Sequence, residues 1–158
     1  KTEKLFEETG VYNRREAHAR HEILLESYYK KLQIEARVIG EMVNNVIIPT
    51  AINYQSKLID NVKGLKDLGF DKATYTAQVD IITKISEHVN FIKSNVDELI
   101  NARKKANIIE DIRDKAIAYD EKVKQHFAPI RYHVDKLEQV IDDARWPLPK
   151  FRELLFIR

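Results

Sequence analysis

No cysteine occurs in the 158 residues, which rules out disulfides and thiolate metal sites and fits a reducing compartment, so a cytoplasmic location is expected. Glycine and proline are scarce, four of each, too few to punctuate a chain of many short strands. β-Branched residues never settle into alternation, so the sequence reads as helix. A bias in charge is also missing: 27 Lys and Arg stand against 25 Asp and Glu. The charges are interspersed, as on solvated helix surfaces, and leave no basic footprint for nucleic acid or anionic lipid. Long apolar runs are lacking too. The longest stretch free of Asp, Glu, Lys and Arg, Met42 to Ser56, is too short for a bilayer and holds Asn44, Asn45, Asn53 and Gln55. Neither a nucleic-acid nor a membrane partner is expected, and no signal peptide is read. The chain starts at Lys1 in the charged run KTEKLFEETG rather than at a methionine, so it is expected to be a domain excised from a longer product.

What is present is a set of long apolar stripes. Asn13 in NRRE has the form of a helix cap, with Glu16 three residues on completing a capping box. From there Leu25, Tyr28, Leu32, Ile39, Met42 and Val46 recur at helical steps. Pro49 predicts a kink, because it lacks an N–H and crowds the turn before it. The stripe resumes at Ile52, Leu58, Ile59, Val62 and Leu65, and Gly64 and Gly69 supply end signals. A second helix is expected from the Asp71 to Thr74 region to about Lys104, on Val79, Ile82, Ile85, Val89, Ile92, Val96 and Leu99. The next turn is placed just before Asn107, where NIIE offers another capping box. A third helix follows through Ile109, Ile112, Tyr119, Val123 and Phe127, bends or breaks at Pro129, and resumes with Ile130, Val134, Leu137 and Ile141 to about Asp143. The tail then leaves extended as WPLP. At 1.5 Å per residue the first helix spans about 80 Å and the others about 50 Å. The expected fold is therefore all-α: an antiparallel three-helix bundle (four segments if Pro129 breaks the third helix). Its long N-terminal helix is kinked at Pro49 and overhangs as an arm, and its C-terminal tail is extended and apolar. Residues 1–12 read as a connection and 13–158 as the bundle domain.

Chemistry-bearing constellations are few. His18, His21 and Glu22 in HARHE could approach a metal, but a di-iron or di-manganese bundle needs a carboxylate three residues before each ligating histidine. The residues three before His18, His21, His88, His126 and His133 are Arg15, His18, Ile85, Val123 and Ile130. Solvated or capping histidines are the plainer reading. Glu35 falls on the apolar stripe, and Arg37 lies on the wrong side of the helix to pair with it. A salt bridge across the bundle or to a neighbouring domain explains it more simply than a tuned catalytic acid. No phosphate loop, nucleophile elbow or Ser/His/Asp spacing appears. No catalytic, cofactor-binding or metal-ligating residue is assigned.

The segments GVYNRREAHARHEILLESYYKKLQIEARVI, IIPTAINYQ, NVKGLK, ARKKAN, IRYHVDKLEQVIDD and WPLPKFRELLF, in this order, resemble the C-terminal region of type III glutamine synthetases. The resemblance covers nearly the whole chain. It implies a parent enzyme that joins ammonia to glutamate using ATP and Mg²⁺ or Mn²⁺, built from stacked hexameric rings. The catalytic motifs of that family would lie upstream of these residues, so the fragment is expected to be inactive alone. On this reading the tail residues Trp146, Leu148, Phe151, Leu154, Leu155 and Phe156 are candidate contacts with the upstream catalytic domain or neighbouring subunits. Two other readings remain: a free-standing helical interaction module whose stripe takes a partner helix, and a metal-dependent bundle enzyme.

Overall fold

The computed structural model describes the backbone of residues 2–155 and the side chains of 5–150 and 153–155. Its helices are α1 (Thr2–Glu8), α2 (Arg14–Met42), α3 (Ile48–Asp67), α4 (Lys72–Ile108), α5 (Ile112–Ala118), α6 (Phe127–Val140) and α7 (Phe151–Leu154). A π turn, Val43–Ile47, joins α2 to α3 with every hinge residue still helical. A second π turn, Tyr119–Val123, and a 3₁₀ turn, Lys124–His126, join α5 to α6. The three rods, α2–α3, α4 and α5–α6, pack antiparallel in sequence as an all-α bundle, and among the described residues there is no strand.

Each boundary has a local cause. The Asn13 side chain accepts from the Glu16 N–H at 2.9 Å, and the Glu16 carboxylate accepts from the Asn13 N–H at 2.9 Å, which is the expected capping box. The first rod stops because Gly69 takes φ +81°, a conformation closed to most side chains. This lets Gly69 N–H reach Lys66 O at 2.9 Å and Phe70 N–H reach Leu65 O at 3.0 Å, a Schellman closure.

Proline makes itself felt one turn early. Pro49 has no amide to offer upstream, and the chain widens before it: the Ile48 N–H bonds back to Val43 O, five residues away. The irregularity that accompanies Pro49 therefore lies at 43–47. Pro129 sits inside the first turn of α6, where a missing N–H costs little, and the distortion again lies upstream, at 119–126.

Two expectations are corrected. Asn107 does not cap a helix: α4 runs through Ile108, the turn falls at 109–111, and Asp111 caps α5 by accepting from the Asp114 N–H at 2.8 Å. Asn107 is occupied elsewhere, its Oδ1 accepting from Gln33 Nε2 at 2.8 Å and from the Tyr119 hydroxyl at 2.5 Å. Glu35 is exposed rather than on the core face. The buried face of the first rod runs through Leu32, Ala36, Gly40, Val43, Ile47 and Ala51. Its small residues are invisible to a search for bulky apolar ones, so Glu35 needs no partner. The core is completed by Ile85, Ile92, Val96 and Leu99 of α4 with Tyr119, Val123, Ile130 and Leu137 of the third rod.

Candidate functional site

Two regions lie outside the ordinary business of the bundle: the arm and the tail. The bonded pair Gln33–Asn107 sets α2 level with the end of α4. The third rod reaches a little further, where Tyr29 stacks on Tyr119 at 5.8 Å and Lys115 lies over the Tyr29 ring at 5.5 Å. Beyond that level the first turns of α2 project past both neighbours. Between Arg14 and Leu24 every residue is exposed except the half-buried Ala17. Ile23 and Leu24 are 60% and 69% exposed. The α1 segment folds back on the arm's free end, with Phe6 edge-on to Tyr12 at 5.5 Å and the Arg20 guanidinium 4.4 Å over the Tyr12 ring.

The tail begins where α6 ends at the extended Ile141. The Trp146 N–H returns to Asp142 O at 3.1 Å, and the indole is buried in the core cluster with only 7% exposure. Leu148 is half-buried against the same cluster. Lys150 fastens the strap: its ammonium donates to Glu138 O at 3.0 Å and to the Asp143 carboxylate. Past that fastening, Leu154 and Leu155 are 58% and 65% exposed. Of the other expected contacts, the Phe151 side chain and all of Phe156 lie outside the described residues.

Beneath the strap lies a groove the sequence did not announce. The main contacts of the third rod with the first are made by α5 and the 119–123 π turn, while α6 packs chiefly on α4. The first rod and α6 therefore stand apart, leaving a cavity of about 590 Å³. Its apolar walls are Met42, Val43 and Ile47 on one side and Phe127, Ile130 and Val134 on the other, with Trp146, Leu148 and Pro149 of the strap also lining it. Arg131, Asp135 and Glu138 are its polar lining. Nothing in periodicity distinguishes such residues from core, because they are core on one side only.

The histidines are dispersed. His18 is a surface residue 3.6 Å from Glu22, and His21 is exposed. His126 is buried beside Asn95, whose Oδ1 is 3.5 Å from its Nδ1, and Glu98 lies at 3.9 Å. Sequence reasoning missed a pair that only packing creates: His88 and His133 share one hydrogen bond, Nδ1 to Nδ1 at 2.9 Å, and His133 stacks on Phe91 at 3.8 Å. Both imidazoles are held below their ordinary pKa. For His88 burial leads, the Lys136 and Lys84 charges adding to it and Glu87 opposing; for His133 burial leads and His88 adds.

Residues 1–66 match the family model described as the glutamine synthetase C-terminal domain. A glutamine synthetase of Bacteroides fragilis is 41% identical over 152 residues, which is 94% of this chain and 21% of that protein. The chain belongs to the glutamine synthetase C-terminal domain family. The type-3 glutamine synthetase of Dictyostelium discoideum is 26% identical over 98% of the chain, and a glutamine synthetase of Butyrivibrio fibrisolvens is 24% identical over 96%. The chain spans about a fifth of the length of these curated relatives.

A glutamine synthetase implies ATP and a divalent cation, and the residues described do not fit either. Among them no three His, Asp or Glu side chains gather as a hard oxygen-rich cation site would require. The groove's walls are mostly apolar, and two of the three charged residues that line it, Asp135 and Glu138, are acidic, which disfavours a phosphate. No helix among the described residues is long and apolar enough to cross a membrane.

Proposed function

We propose that this chain is the C-terminal assembly domain of a type III glutamine synthetase, a cytoplasmic enzyme that joins ammonia to glutamate at the expense of ATP. The observation that carries the proposal is identity spread over 94% of the chain yet only 21% of the relative. That pattern suits a domain, and the likeness to a relative named type-3 supports the subtype. On this reading residues 1–12 connect to a catalytic region that supplies the ATP and Mg²⁺ or Mn²⁺ chemistry, and 13–158 contribute none of it. The arm with Ile23 and Leu24 is the face offered to that region, since bulky aliphatic side chains on a projecting helix gain by burial. The parent is a homo-oligomer of stacked rings, and the tail beyond Lys150 is a second contact surface.

Two measurements test this. An antibody against the peptide FRELLFIR, used on a denaturing blot of source cells, should mark a band roughly five times heavier than 18.6 kDa. A band at 18.6 kDa itself would replace the proposal with a free-standing helical interaction module. In the heavy polypeptide, Ile23→Asp with Leu24→Asp should disturb assembly while leaving the bundle's melting unchanged. Trp146→Ala is a poorer probe: Trp146 already belongs to the bundle's own core, so its loss costs about 3–5 kcal/mol of folding stability by itself.

A further inference from the structure

We propose that the groove between the first rod and α6 is a docking site for the tail of a second copy of this chain, which inserts Leu154 and Leu155. Two features of one molecule are complementary and unmet. One is an open cavity of about 590 Å³ with apolar walls, of the size and character that take up an apolar group. The other is a terminal segment that places Leu154 and Leu155 in solvent at 58% and 65% exposure.

Within one molecule they are kept apart. Trp146, Leu148 and Pro149 themselves line the groove, and Pro147 and Pro149 hold the strap extended there. Lys150 then pins the strap to Glu138 O and Asp143. The Lys150 N–H donates to the Glu153 carboxylate at 3.1 Å, which starts α7 directly after the pin. The segment past Lys150 therefore leaves the groove, and Leu154 and Leu155 are not among the residues that line it. A second copy is under no such constraint, and two copies related by a two-fold axis can exchange tails reciprocally, closing the assembly as a dimer. Each insertion buries two leucines and the walls that receive them. For the pair the total is on the order of 1,000 Å², the lower edge of specific interfaces, so dissociation is expected on the order of 10–100 µM. The proposal concerns the 158-residue chain alone and stands whether or not the catalytic reading holds.

Sedimentation equilibrium from 5 to 500 µM (about 0.1–10 mg/ml) is the first test. A concentration-dependent dimer is expected, and Leu154→Asp with Leu155→Asp should weaken it at least about tenfold. Both leucines are exposed in the single molecule, so helicity by circular dichroism should be unchanged. Because the chain has no cysteine, a mixture of Leu154→Cys and Met42→Cys copies should oxidise to a mixed dimer of double mass. A mixture of Leu154→Cys with Thr83→Cys, an exposed site on α4, should not. Three results would overturn the proposal. The chain could stay monomeric to about 500 µM, which leaves the groove to a different occupant. Its dimer could be indifferent to the tail substitutions, which moves the interface elsewhere. Or the two cysteine mixtures could cross-link equally.

Discussion

The same substitution, glycine to alanine, should move stability in opposite directions at two positions of the first rod. Gly40 lies inside α2 on its buried face, with an ordinary helical backbone. A methyl group built there meets Ile100 Cδ1 at 3.9 Å and Ile100 Cγ1 at 4.0 Å, ordinary van der Waals contact, and nothing nearer. Gly40→Ala therefore adds packing without a clash and removes backbone freedom from the unfolded chain. The expected gain is about 0.5–1 kcal/mol, or about 2 °C in Tm for a domain of this size. Gly69 is the reverse case. A methyl group there meets nothing within 4 Å, but φ is +81°. The strain is wholly in the backbone, and Gly69→Ala should cost about 1 kcal/mol. Urea denaturation of both variants, followed by circular dichroism at 222 nm, decides the matter. If Gly40→Ala destabilises, the first rod and α4 approach more closely than the structure shows. If Gly69→Ala is neutral, the Schellman turn is not what ends α3.

Three further outcomes can be checked on the same material. Tyr119→Phe keeps the buried ring and removes its hydroxyl from Asn107, which retains Gln33; the expected loss is about 1 kcal/mol, and a loss above about 3 kcal/mol would mean the network is more strongly coupled than these bonds indicate. Asn13→Ala removes the side-chain half of the capping box, the acceptor of the Glu16 N–H, while the backbone N–H of residue 13 can still donate to Glu16, and it should cost about 1 kcal/mol. The loss should appear as faster amide exchange confined to the arm, and uniform acceleration through α4 would contradict it. The His88–His133 pair favours the uncharged imidazoles in the folded state. The unfolded chain thus binds more protons near pH 6, so this stability is complete above the ordinary histidine pKa of about 6.5 and is lost as pH falls below it. His88→Gln should flatten the fall in melting temperature between about pH 7.5 and 5; an unchanged slope would place the titration elsewhere.

Local rules carried the reading of the helices themselves. A cap is an interaction within four residues, so Asn13 with Glu16 was legible, as was the end signal at Gly69. The stripes of α4 named Ile85, Ile92, Val96 and Leu99, which the structure buries completely. The overhang of the first rod followed from lengths alone. The turn after α4 was not legible, because Asn107 can cap a helix or bond across the bundle, and Gln33 and Tyr119, distant in sequence, claim it. Glu35 was misplaced because Ala36 and Gly40 form the buried face, and small residues contribute little to a hydrophobic pattern while allowing the closest approach of helices.

Sequence by itself determined the helical class, the three long segments and the ends of the first rod at Asn13 and Gly69, because propensity, caps and periodicity act over a few residues. The likeness to glutamine synthetases is likewise written in the order of residues. Tertiary structure alone decided which tail residues are buried and which stand free, since Trp146, Leu148, Leu154 and Leu155 are equally apolar on paper. It alone brought His88 to His133 and opened the groove between the first rod and α6. Those features depend on how far apart two rods sit, a distance set by the summed volume of side chains from all three.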